Sequence, residues 1–236
     1  MLVCSSGEYK QTFTKAPSFL EYPLPEGLAL ESNSQVQVSL SSFPWSGRVW
    51  ARQYCAAGGS NCVLGDCGHP SCWGRSSADT TLFEITAQKD KMYYDISLVD
   101  SFTCGVHVVP DDQDCEAIAC IAPPYLGIDP EDQSLVCPPP NLITDPRTGD
   151  APIGCYSNCA VHETDEYCCR GIYDATTCKG NNPWFKETCP DAYSYAYDDQ
   201  DATFTCGFRN VTIYFHCSLD PPGVFYCRLA DVGHGT

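Results

Sequence analysis

The chain has 236 residues, enough for one or two compact units with a real core. Its 30 acidic against 13 basic residues give a formal charge of −17, which repels phosphate backbones and argues against a nucleic-acid partner. No apolar run approaches the roughly 18 residues of a transmembrane helix, and 18 cysteines without a single C-x-x-C pair point to disulfides in an oxidising compartment rather than to zinc.

Only Met1, Leu2 and Val3 precede Cys4, too few for a signal peptide. The sequence is therefore read as a mature or recombinant form of a secreted protein, or as an incomplete gene product. Residues 1–34 are poorly patterned and punctuated by Pro17, Pro23 and Pro25. From Gln35 to Leu40 apolar residues alternate, with Val36, Val38 and Leu40 on one face, which predicts a strand. Ser46-Gly47 turns into a second strand over 48–52. The stretch 55–72 holds four cysteines and is too small to bury a core, so bridges between near neighbours are expected to staple it. Over 81–86 Phe83 and Ile85 share one face, so Glu84 points away from the core. Over 93–98 Tyr94, Ile96 and Leu98 form the apolar face, while Tyr93, Asp95 and Ser97 form the other, and Asp100 follows at the strand's end. That outward face is either a solvated strand edge or the floor of an acidic cleft. A further strand is expected at 105–109, and long cysteine-held loops between 111 and 154. A short helix is expected within 159–170, and another after Asn182-Pro183, with Asn182 as cap and Pro190 as stop. The run 198–201 reads as a solvated loop. Strands return at 202–206 and 211–217, where Val211, Ile213, Phe215 and Cys217 line one face, and at 224–227. Many short strands separated by Gly/Pro turns predict a mainly β sandwich with an inserted loop-and-helix lobe.

Five motifs in chain order carry a resemblance. They are Ser46-Gly47-Arg48-Val49-Trp50-Ala51-Arg52, Gly65-Asp66-Cys67-Gly68, Tyr94-Asp95-Ile96-Ser97-Leu98-Val99-Asp100, Glu166-Tyr167-Cys168-Cys169 and Cys189-Pro190-Asp191-Ala192-Tyr193-Ser194-Tyr195. Together they resemble the thaumatin-like proteins, over about residue 35 to Cys217. The resemblance implies a β-sandwich core (1–54, 80–114 and 191–236), a small disulfide-stapled lobe (55–79) and a disulfide-rich helical and loop lobe (115–190). It also implies eight bridges: Cys4–Cys217, Cys55–Cys62, Cys67–Cys72, Cys115–Cys206, Cys120–Cys189, Cys137–Cys155, Cys159–Cys168 and Cys169–Cys178. Cys104 and Cys227 are then left over, and arithmetic suggests a ninth bridge between them.

The same resemblance implies an inter-lobe cleft lined by Arg48, Glu84, Asp95, Asp100 and Asp191. Carboxylates accept hydrogen bonds from sugar hydroxyls, and an aromatic such as Tyr93 can stack on a sugar face. The bland alternative is that Arg48 merely neutralises a structural acidic cluster. The resulting expectation is a secreted, monomeric, antifungal defence protein of the pathogenesis-related type that binds β-1,3-glucan or another fungal cell-wall polysaccharide, with no cofactor and no metal. One alternative is an endo-β-1,3-glucanase using Glu84 and Asp100 as its catalytic carboxylates. The other is a protein-binding module, such as a hydrolase inhibitor, that leaves the cleft idle. The histidines at 69, 107, 162, 216 and 234 show no metal spacing, and Asn210-Val211-Thr212 is a glycosylation sequon.

Overall fold

The computed structural model describes residues 2–6, 19–21, 28–30, 35–39, 44–56, 61–69, 72, 79–121, 137–147, 149, 151–217 and 225–231. The chain is mainly β. Its strands run in the order β1 (Leu2–Ser6), β2 (Phe19–Glu21), β3 (Leu28–Leu30), β4 (Gln35–Ser39), β5 (Trp45–Arg52), β6 (Leu82–Ala87), β7 (Lys91–Ser97), β8 (Ser101–Phe102), β9 (Gly105–Pro110), β10 (Ile118–Cys120), β11 (Leu142–Thr144) and β12 (Pro152–Tyr156). After helices α1 (Asn158–His162) and α2 (Pro183–Thr188) come β13 (Ala192–Tyr193), helix α3 (Asp199–Ala202), β14 (Phe204–Gly207), β15 (Val211–His216) and β16 (Phe225–Asp231).

Two large sheets face one another. The first has the order β10-β9-β15-β1-β4-β2, and the second β13-β7-β6-β5-β16-β3, with β14 also paired to β7. Alternation builds the core between them. Val106, Val108, Ile213 and Phe215 from the first sheet pack in one buried cluster with Phe83, Ile85 and Ile96 from the second. Tyr94 belongs to the same cluster. Its hydroxyl donates to the Glu116 carbonyl at 2.5 Å, and burial, then the nearby Glu116 charge, pushes its phenol up to about 12. A third, small sheet has the order β11-β12-β8, and its strands β11 and β12 begin within the stretch read as loops. β10, β11 and β12 correct that reading: each is three to five residues long and too short to show a period.

Seven bridges join the pairs implied by the resemblance: Cys55–Cys62, Cys67–Cys72, Cys115–Cys206, Cys120–Cys189, Cys137–Cys155, Cys159–Cys168 and Cys169–Cys178. Two expectations are overturned. Cys217 bonds Cys104, with 4.5 Å between their Cα atoms, so neither Cys4–Cys217 nor Cys104–Cys227 forms. The reason is register. β15 lies antiparallel to β9 with His216 opposite Gly105, so the next pair outward is Cys217 and Cys104. β1 lies parallel to β15 with Cys4 level with Ile213. Cys217 is four residues further along, about 13 Å at the rise of a strand, whereas bridged Cα atoms stand within roughly 7 Å. The side chains of Cys4 and Cys227 lie outside the described residues.

Two local expectations also change. Asn182 is the N-cap residue of α2, as expected, but its side chain makes no capping hydrogen bond to that helix. Its buried amide donates to the carbonyls of Gly180 (2.8 Å) and Ser194 (2.5 Å), and its oxygen accepts from Asn158 N–H at 2.7 Å. It therefore joins three segments rather than closing one. The run 198–201 is not a loop, since residues 199–202 form α3. Ahead of the helix, Asp198 accepts from the Ser194 N–H and hydroxyl at 2.9 and 2.8 Å and pairs with Lys186 at 3.3 Å.

Candidate functional site

The outward face of the second sheet carries the site. In β5 and β6 Arg48 stands opposite Glu84, and in β6 and β7 Glu84 stands opposite Asp95. The alternation that sends Val49, Phe83, Tyr94 and Ile96 inward sends these three charges outward, side by side across three strands about 4.8 Å apart. β13 runs parallel to β7 with Ala192 beside Ile96, which brings Asp191, one residue earlier, to the level of Asp95. All four residues are half-buried.

Arg48 Nε donates to Glu84 Oε1 at 2.5 Å, a charge-assisted pair with each side chain about 30% exposed. Asp100 comes from the chain leaving β7. The Leu98 N–H donates to the Tyr193 carbonyl at 2.8 Å, and the Asp100 carbonyl accepts from the Ser157 N–H at 3.0 Å. The segment is thus pinned between the sheet and the start of α1. Burial raises the Asp100 carboxyl above its ordinary 3.8, Arg48 and Arg170 oppose the rise, and Glu84 and Asp79 add to it.

Sequence reading missed Asp79, Arg170 and Tyr156. Asp79 sits just before β6 and accepts from the Gly65 N–H at 3.3 Å. Tyr156 lies in β12, and its phenol is raised by burial and then by the Asp79 charge. Arg170 follows Cys168 and Cys169, which are bonded to Cys159 and Cys178, and it brings a cation from that bridged segment toward Asp100. No local pattern marks these residues, because they reach the site from three segments far apart in sequence.

Beyond the charged row, toward Trp50 and Leu82, this face is covered. Trp50 and Leu82 pack with Cys67 and Cys72, and Trp50 Nε1 donates to the Gly65 carbonyl at 2.9 Å. Gly65 has φ +70°, and a Cβ there would meet the Ala51 carbonyl oxygen at 2.7 Å, so only glycine lets this segment lie so close to β5.

The remaining candidates lie elsewhere. His107 and His216 sit half-buried on β9 and β15, and burial lowers both, with His107 further lowering His216. His162 stacks on Tyr167 at 3.9 Å, His69 is exposed, and His234 is outside the described residues. Among the described residues no group of three or more His, Cys, Asp or Glu side chains could hold a metal ion, and no helix is long and apolar enough to cross a membrane. Asn210 is exposed just before β15, and its amide donates to Asp111 at 2.7 Å.

One consequence concerns pH. A carboxyl whose folded-state value is raised holds its proton more tightly in the fold. Its contribution to stability is present below the unfolded value and is lost as pH rises through the folded one. Asp100→Asn cannot ionise, so it is expected to melt higher than wild type at pH 7 and about level with it at pH 3. Differential scanning fluorimetry at both pH values reads this. An equal shift at both would mean that the ionised carboxylate carries no burial cost.

The family model described as "Thaumatin family" matches residues 4–217. The chain is 39% identical over 181 residues to pathogenesis-related protein 5 of Arabidopsis thaliana, covering 72% of this chain and 71% of that one. It is 35% identical over 206 residues to thaumatin-like protein 1 of Pyrus pyrifolia, covering 81% and 80%. It is 38% identical over 186 residues to pathogenesis-related thaumatin-like protein 3.8 of Cryptomeria japonica, covering 76% and 74%.

Proposed function

The chain belongs to the thaumatin family, and from that premise we propose that it is a secreted defence protein whose acidic cleft binds β-1,3-glucan of fungal cell walls. The observation that carries this reading is the row Arg48–Glu84–Asp95, with Asp191 level with its end and Asp100 within electrostatic reach of Arg48 and Glu84. Carboxylates at that spacing accept hydrogen bonds from successive sugar hydroxyls, and Arg48 offsets part of their mutual repulsion. The names of the plant relatives, pathogenesis-related proteins among them, support the defence role. The dense bridging supports an oxidising, extracellular setting.

Asp100 favours a second reading, weak endo-β-1,3-glucanase activity. A glycosidase needs one carboxyl that keeps its proton near the working pH and a second that acts as base or nucleophile. Burial moves Asp100 in the direction an acid requires, and Glu84, ion-paired with Arg48, would supply the carboxylate. The opposing charges of Arg48 and Arg170 on Asp100 limit the shift, so binding is expected to outweigh turnover.

The test combines a pull-down on insoluble β-1,3-glucan with reducing-sugar release, for wild type, Glu84→Gln and Asp100→Asn. The binding reading expects retention by wild type and clear loss in Glu84→Gln. Oligosaccharide release by wild type, abolished in either variant while binding persists, establishes the enzyme. If wild type releases no sugar and both variants bind as it does, the cleft is not a glucan site and a protein partner becomes the better reading.

A further inference from the structure

The charged row is only one level of the outward face of β5, β6 and β7. Two residues along each strand lies a second level, in which Ser46 stands opposite Thr86 and Thr86 opposite Tyr93, with Thr205 of β14 beyond Tyr93. At the rise of a strand this row lies about 7 Å from the first. Two residues the other way are Trp50, Leu82 and Ser97, all buried.

Burial falls in one direction along β5 and β6, and along β7 as far as Tyr93, beyond which Lys91 is half-buried. On β7 it runs from buried Ser97 through half-buried Asp95 to Tyr93, which is 36% exposed. On β6 it runs from buried Leu82 through half-buried Glu84 and Thr86 to exposed Gln88, and on β5 from buried Trp50 through half-buried Arg48 and Ser46 to exposed Pro44. The face is covered near Cys67 and Cys72 and opens past Ser46, Thr86 and Tyr93.

The chemistry changes along the same line. The open row carries no carboxylate. The Ser46 and Thr86 hydroxyls lie 2.9 Å apart in a hydrogen bond, which leaves lone pairs and one hydroxyl proton for a guest. Tyr93 offers an aromatic ring with a polar tip, and Lys91 Nζ braces that ring from 4.6 Å above its centroid. Paired hydroxyls beside a braced aromatic ring suit a sugar, whose ring has an apolar C–H face and a hydroxyl edge. A mere solvated strand edge would not require the ring and the hydroxyl pair to share the open row.

We infer that the row Ser46–Thr86–Tyr93 is a neutral sugar-binding subsite that carries a polysaccharide chain out of the acidic cleft. The inference rests on the glucan reading above and adds a direction to it. The sugar units in the charged row are held by carboxylates, and the units beyond them by Tyr93 stacking and the hydroxyl pair. Affinity then rises with chain length, and the rise depends on Tyr93 and Thr86.

The experiment is calorimetric titration of linear β-1,3-glucan oligosaccharides, trisaccharide against hexasaccharide, into wild type, Tyr93→Ala and Thr86→Val. Thr86→Val keeps the side-chain shape and β preference, so it reports on the subsite should Tyr93→Ala disturb the fold, and melting temperatures identify such a case. Wild type is expected to bind the hexasaccharide about tenfold more tightly than the trisaccharide. Tyr93→Ala is expected to remove most of that gain and Thr86→Val part of it, read as the ratio of hexasaccharide to trisaccharide affinity in each variant. If wild type binds both sugars and well-folded variants keep the full gain, the subsite is overturned while the glucan reading stands. If wild type binds neither sugar, the glucan reading itself fails and takes the subsite with it.

Discussion

Replacing Cys104 and Cys217 together by alanine is expected to cost the fold about 4 kcal/mol and to lower its melting temperature by roughly 10 °C. The bridge spans 113 residues of sequence, and in the chain-entropy account a loop of that length constrains the unfolded state by nearly 5 kcal/mol. Domain stabilities are only about 5–15 kcal/mol, so this loss is large. The bridge lies where β9 begins and β15 ends, and those strands form the middle of the first sheet. Urea unfolding of the double variant measures the cost. Peptide mapping without reduction is expected to recover Cys104 and Cys217 in one linked fragment. Recovery of Cys217 linked to Cys4 would overturn the pairing, and a loss under about 1 kcal/mol would show that the remaining bridges already constrain this loop.

Asp66→Ala is the second large effect, expected at about 3–5 kcal/mol. Arg52 is fully buried, and its Nη2 donates to Asp66 Oδ1 at 2.7 Å. The same carboxylate accepts from the Cys62 N–H at 2.9 Å and the Gly68 N–H at 3.0 Å, while Arg52 Nη1 reaches the His69 carbonyl at 3.3 Å. Removing the carboxylate leaves a buried guanidinium without its counter-charge and frees two backbone donors. The segment over 61–69 should loosen first, because its other backbone ties to the sheet include the Gln53–Leu64 bridge, at 3.1 and 3.3 Å. Limited proteolysis reads the loosening and denaturant unfolding reads the cost. Arg52→Met with Asp66→Leu removes both charges and should recover much of the loss, as replacement of buried pairs by apolar residues often does. A double variant as unstable as Asp66→Ala would assign the cost to the lost backbone hydrogen bonds instead.

Part of the site is legible in the sequence. Alternation in 81–86 and 93–98 sets Glu84 and Asp95 on the outward face, because Phe83, Ile85, Tyr94 and Ile96 must be inward. Parity assigns a face but not a neighbour. That Glu84 meets Arg48 on one side and Asp95 on the other follows from how three strands slide against one another. A shift of one residue would have turned every one of these side chains to the other face.

The cysteines show the same division. Their number and the lack of close metal-type pairs are enough to imply an oxidised framework. Near neighbours such as Cys67 and Cys72 have few other partners in reach. Cys217 had distant partners on offer, and the choice of Cys104 over Cys4 depended on the antiparallel register of β15 with β9 and its parallel register with β1. Asn182 is similar: its place before Pro183 signals a helix start, yet its hydrogen bonds go to Asn158, Gly180 and Ser194. The sequence by itself determined the strands with a clear period of two, the sides their residues face, the acidic character of one face and the need for disulfides, since all of these are local or compositional. Only the tertiary structure decided the strand registers, the partner of Cys217, and the approach of Asp79, Tyr156 and Arg170 to the charged row, because each depends on segments far apart in sequence meeting in space.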